Sequence, residues 1–186
     1  MACTNSANNR IVSIDVECMA TGFTHEDRAP CSVALVDSQC QIIFSSLIKS
    51  KDEIVSDLYP LTGLRIKDLE QAPSFDEVLE KIYALLDPTT IIVGQKPQAH
   101  EAMVLLNIDL NAQNGHLATE DARASILLYL QYKDNARDLI DARRRLLNTR
   151  SRTTPAKANN YKYEGVCLSA YSANLCTCGR PIRGDD

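Results

Sequence analysis

Ile11-Val12-Ser13-Ile14-Asp15-Val16-Glu17 joins a run of strand-forming residues to two carboxylates. The two-residue period of a strand puts Asp15 and Glu17 on the same face, where a buried strand has no structural use for adjacent like charges. A cation between them is the usual solution. Oxygen-only ligands point to a hard divalent ion such as Mg²⁺ or Mn²⁺. The plainer reading ends the strand at Ile14 and leaves both acids solvated at its mouth.

Outward from this run, Cys31–Asp37 and Cys40–Lys49 read as two further strands separated by a short polar turn, which makes an antiparallel meander. From Ser74 to Leu86 the residues Phe75, Val78, Leu79, Ile82, Leu85 and Leu86 fall at helical spacing, and Ser74 with Glu77 forms a capping-box pattern. Asp87-Pro88 stops that helix. Thr89–Gly94 then reads as a short buried strand, parallel to the first if the helix is a crossover. Further helices are expected from about Thr119 to Tyr132 and from Asn135 to Leu147. The fold class is therefore α/β, with a mixed sheet of an antiparallel meander plus one parallel strand, flanked by helices.

The expected division is a domain over residues 1–147 and an extended arm with a Cys-containing tail over 148–186. At 186 residues the chain suits one domain with a sizeable core. A formal net charge of -4 argues against coating nucleic acid by bulk charge and leaves local basic patches as the means of holding phosphates. No apolar run approaches a membrane span, and the polar Met1–Arg10 does not resemble a secretory signal. Seven cysteines, an odd and scattered set, do not form a disulfide framework, which places the chain in a reducing intracellular setting, cytoplasm or nucleus.

A second constellation is His116 followed by Asp121, an acid opening a helix. Alone, such an acid merely complements the helix dipole. Taken with Asp15 and Glu17 in order along the chain, the sequence resembles the DEDDh, or DnaQ-like, 3'-5' exonuclease superfamily with its RNase H-like fold, in the branch of small RNA exonucleases. Ile14-Asp15-Val16-Glu17 matches the first motif and His116 with Asp121 the third. Thr62-Gly63-Leu64, Ile91–Gly94 and the helix after Asp121 fall in matching places, so that the resemblance covers roughly residues 10–133.

The resemblance implies hydrolysis of phosphodiester bonds, with single-stranded RNA favoured over DNA as the substrate. Two Mg²⁺ or Mn²⁺ ions would be held by Asp15, Glu17, Asp121 and a further carboxylate, with His116 as general base. Arg123 and Lys133 are candidate phosphate contacts. Arg143–Arg145 reads better as a solvated helix face.

Two departures from the family pattern stand out. The second-motif slot reads Val93-Gly94-Gln95-Lys96-Pro97-Gln98-Ala99-His100-Glu101, so an ungapped match places His100 where the carboxylate belongs, and one extra residue places Glu101 there. The segment between Glu101 and His116 is also shorter than in the family. Both features keep a second reading open, a catalytically weak or inactive exonuclease-fold module that binds RNA or protein partners.

In the tail, Cys167, Cys176 and Cys178 offer three sulfur ligands for a structural Zn²⁺, but a closed site needs four. Cys18 or Cys3 could supply the fourth. Three reduced thiols are the favoured reading, with His25, Cys31 and Cys40 as ordinary loop and sheet residues.

Overall fold

The computed structural model describes residues 10–94, 101–110, 117–150, 153–169 and 176–179. Its centre is a four-stranded sheet built from β1 (Ile11–Ala20), β2 (Arg28–Asp37), β3 (Ile42–Leu47) and β4 (Ile91–Val93), in the order β3-β2-β1-β4. The first three strands form the antiparallel meander, and β4 pairs parallel to β1 after the helical crossover. This is the mixed α/β sheet that the order of strand and helix patterns implies.

β1 runs through both acids to Ala20 instead of stopping at Ile14. The reason is its partner. β2 pairs with β1 along its whole length, from Val12 opposite Asp37 to Ala20 opposite Arg28. The register shifts between Glu17 and Cys18, and Pro30 lies opposite Cys18 there. A proline lacks the N–H a regular ladder needs, and a bulge is one of the places a strand tolerates it.

The two faces of the sheet carry different loads. After the one-turn helix α1 (Tyr59–Thr62), α2 (Phe75–Leu85) brings Val78 and Ile82 against Val12, Val33, Leu35 and Ile48, with Ile14 packed against them. On the other face Ala34 and Val36 meet Ala118, Ala122 and Ile126 of α3 (Ala118–Tyr132). The alanines on both sides of that seam let helix and sheet approach closely. A π-helical turn, Ala102–Leu106, covers α3 through Ala102 and Ala124, and Arg145 of α4 (Ala136–Asn148) donates to the Val104 carbonyl at 2.6 Å.

The tail folds back. The hairpin of β5 (Lys162–Tyr163) and β6 (Val166–Cys167) turns through Glu164 and Gly165, both at positive φ, as a two-residue hairpin loop requires. Val166 and Leu168 are buried with Ala20, at the end of β1, and Leu58. Among the described residues no helix is long and apolar enough to cross a membrane.

α2 begins at a complete capping box. The Ser74 side chain accepts from the Glu77 backbone N–H, and the Glu77 carboxylate accepts from the Ser74 backbone N–H at 2.8 Å. The hydrogen bond from the Ser74 backbone, with a second from its hydroxyl, holds the Glu77 carboxyl below its ordinary pKa. Because the folded pKa is depressed, this contribution is present above the ordinary glutamate pKa and is lost as pH falls through the folded value. Ser74→Ala is expected to lower stability by about 1 kcal/mol, read in urea as a lower midpoint at unchanged slope. Glu77→Gln is expected to flatten the acid limb of the stability profile. An acid limb identical to wild type would remove Glu77 from that role.

Candidate active site

Within β1 the alternation that buries Val12 toward α2 turns Ser13, Asp15 and Glu17 toward α3. Opposite them on β2 stand Val36, Ala34 and Ser32 respectively. The small side chain of Ala34 lets the start of α3, and with it Asp121, lie close to the strand acids.

Asp121 comes to the same place from the first turn of α3. Its backbone N–H donates to the Leu117 carbonyl at 3.0 Å, and its neighbour Ala122 packs against the sheet, so the side chain is set by the helix start and its close approach. Asp121 is 0 % exposed, Asp15 8 % and Glu17 4 %. One carboxylate oxygen from each of the three lies within 4.8 Å of the others. Three buried carboxylates at that spacing repel one another and provide an all-oxygen donor set, the chemistry that suits a hard divalent cation.

Among the described residues β4 pairs with Ile11, Val12 and Ser13, so Asp15 and Glu17 lie beyond the last described pair with the parallel partner. The carboxylates therefore sit at the carboxyl end of a parallel strand pair, where open α/β sheets characteristically leave a crevice.

The other residues singled out in the sequence are placed differently. Glu101 is half-buried immediately before Ala102, which packs with Ala124 one turn along α3 from Asp121; its carboxylate is not part of the three-acid cluster. His100 and His116 lie outside the described residues. The Arg123 guanidinium forms an ion pair with Glu120 at 2.6 Å and reaches the Cys40 carbonyl in the β2–β3 turn. Lys133, just past the end of α3, pairs with Asp134 at 2.6 Å and stands ~18 Å from Asp121 along the helix axis. Arg143–Arg145 are exposed on α4, with Arg144 paired to Asp141.

The tail cysteines are not a separate set of three thiols. Cys167, Cys176 and Cys178 gather with His25 of the β1–β2 loop, one ligand atom each within 4.8 Å. This residue was missed because it lies 142 positions before Cys167, with no local pattern linking them. A signal was nevertheless present: three sulfur ligands short of a fourth, in a chain holding only three histidines.

Burial pushes the Cys31 thiol up to about 12, leaving it an inert core group beside Met19 and Leu69. Burial likewise lowers the Arg28 guanidinium, whose Nη2 donates to the Cys167 carbonyl at 2.7 Å.

No family model matches the sequence, and no curated protein matches it. Solved structures do. The Neurospora crassa Pan2 catalytic unit, comprising protease and nuclease domains, superposes with a TM-score of 0.60 at 18% identity, covering 81% of this chain and 32% of that one. The Saccharomyces cerevisiae PAN2 pseudoubiquitin-hydrolase-RNase module gives 0.61 at 13% identity, with 87% and 33% covered. The same yeast module in complex with AAGGAA RNA gives 0.57 at 14% identity, with 79% and 32% covered. The chain thus spans about a third of the length of the solved chains it matches, and its mixed sheet with flanking helices has the RNase H-like exonuclease fold.

Proposed function

We propose that this chain is a divalent-metal-dependent 3'-5' exonuclease of the DEDDh type acting on single-stranded RNA. The observation that carries the reading is the buried convergence of Asp15, Glu17 and Asp121, delivered by β1 and the start of α3. The fold supports it, and so does the solution of a structurally similar module with RNA.

The donor set fits the ion such chemistry uses. Asp15, Glu17 and Asp121 would hold Mg²⁺ or Mn²⁺, and Glu101 is the candidate for a fourth carboxylate and a second ion. When bound, the metal supplies charge stabilisation at the phosphodiester. The chain's own residues do the rest. Buried acids fixed by strand and helix hold the site rigid, and His116 accepts the proton of the attacking water. Arg123 lies about 200° round α3 from Asp121 and is held on Glu120 and the Cys40 carbonyl, so it would meet a phosphate away from the three acids.

A second reading has its own observation. Glu101 stands outside the acidic cluster, and a site short of a carboxylate suits a weak or inactive module that binds RNA or protein partners.

The deciding assay incubates the chain with 5'-labelled single-stranded RNA, or DNA of the same sequence, in Mg²⁺, Mn²⁺ or chelator. The expected result is metal-dependent shortening from the 3' end, faster on RNA. It should be absent in Asp15→Ala/Glu17→Ala and reduced ~10²–10⁴-fold in His116→Ala. Equal shortening by wild type and the double variant would overturn the assignment. RNA retained without shortening, by a folded wild-type chain, would establish the binding module instead.

Metal occupancy is tested separately by thermal unfolding. Mn²⁺ at a hundredfold excess over its dissociation constant is expected to stabilise the wild-type chain by about 2.7 kcal/mol. Asp121→Asn should lose most of that gain. An unchanged response would place the ion elsewhere.

A further inference from the structure

The loop between β1 and β2 and the far end of the chain meet at four soft ligand atoms. His25 Nδ1 lies 3.2 Å from the Cys178 sulfur and 3.7 Å from that of Cys176. The Cys176 sulfur lies 3.3 Å from Cys178 and 3.9 Å from Cys167. All four atoms lie within 4.8 Å of one another, and Cys167 and His25 are buried.

These separations discriminate between chemistries. A disulfide holds its sulfurs at ~2.05 Å, and none of the six described cysteines is in one. Tetrahedral Zn²⁺, with bonds of ~2.3 Å to sulfur and ~2.0 Å to nitrogen, separates two sulfurs by about 3.8 Å and sulfur from nitrogen by about 3.5 Å. The observed values scatter around those distances.

The surroundings are those of a metal knuckle. The Thr177 backbone N–H donates to the Cys167 sulfur at 3.4 Å, a contact that favours a thiolate. Gly179, directly after Cys178, takes φ +72°, a left-handed conformation that glycine adopts without strain. The loop is held to β6 independently: the Cys167 N–H donates to the Phe23 carbonyl at 2.9 Å, and Arg28 bridges the Thr24, Asp27 and Cys167 carbonyls. His25 Nε2 is buried and has no hydrogen-bond partner among the described residues, so the cysteine sulfurs are what orient the ring.

We propose that His25, Cys167, Cys176 and Cys178 bind one Zn²⁺ in a closed structural site that fastens the C-terminal tail to the β1–β2 loop. The site uses sulfur and imidazole, so it selects Zn²⁺ over the hard cations suited to the acidic cluster. With three thiolates and a neutral imidazole the filled site carries a net charge of about -1, and the Arg28 guanidinium stands beside it. No open coordination position remains for catalysis. The inference is independent of the nuclease reading.

The test uses the full chain purified under reducing conditions from zinc-supplemented culture. Metal analysis is expected to find ~1 Zn²⁺ per chain. Replacement by Co²⁺ should give the intense visible absorption of a tetrahedral ion with thiolate-to-cobalt charge-transfer bands. Cys176→Ser/Cys178→Ser should abolish both, whereas Asp15→Asn and Cys18→Ser should leave both unchanged. If the double variant fails to fold, His25→Cys decides the matter: it should keep the metal with stronger charge-transfer bands, while His25→Ala weakens retention at least tenfold. A wild-type chain without zinc and without a tetrahedral Co²⁺ spectrum would overturn the proposal. So would zinc retained by the double variant, or a disulfide among the three cysteines under reducing conditions.

Discussion

Three carboxylates held within 4.8 Å of one another inside a protein are the constraint on which the rest of this structure depends. Bringing three acids together out of water costs free energy, which a domain of typical stability, about 5–15 kcal/mol, must offset elsewhere. Such a cluster persists only where the backbone that carries it is fixed by packing the charges do not disturb. β1 meets that need by pairing with β2 along its full length, while its opposite face builds the apolar core with α2. α3 meets it by docking alanines against Ala34, which brings the helix start close enough for Asp121 to join the strand acids. Each of the two carriers is anchored away from the site it presents.

The sheet also sets where along β1 the buried acids lie. The antiparallel partner of β1 continues past Glu17, but the last described pair with the parallel partner is at Ser13. Among the described residues the acids are therefore paired on the antiparallel side alone.

Local chemistry made much of this legible in advance. The D-x-E period, the Ser74/Glu77 box and the crossover to a parallel strand each follow from a few adjacent residues, and the sheet order assembles from them. The extent of β1 did not. Cys18-Met19-Ala20 has no special strand character and is extended because Arg28–Pro30 pairs with it across a bulge, where the proline reads locally as a breaker. The meeting of Asp121 with Asp15 and Glu17 spans more than a hundred residues, and only the order of motifs suggested it. For His25 not even an order was available. Its neighbours in space are in the tail, and its neighbours in sequence are an ordinary polar loop.

That loop and that tail depend on each other. A hairpin with two residues in each strand is too small to stand alone, and β5–β6 is held by burying Val166 and Leu168 on Ala20 and Leu58. The Gly165 turn contributes to the docking: a Cβ there would come within 3.3 Å of the Phe23 ring, so the glycine permits a close approach between turn and loop. The Ser56 hydroxyl adds a hydrogen bond to the Glu164 carboxylate at 2.6 Å. Ala20 is the last residue of the strand that carries Asp15 and Glu17, and the loop begins directly after it. Whatever fixes the tail to the loop therefore also fixes the outgoing end of β1. The His/Cys cluster of the tail and the carboxylates of the strand share one mechanical element, so the docked hairpin belongs to the framework that keeps Asp15 and Glu17 in place.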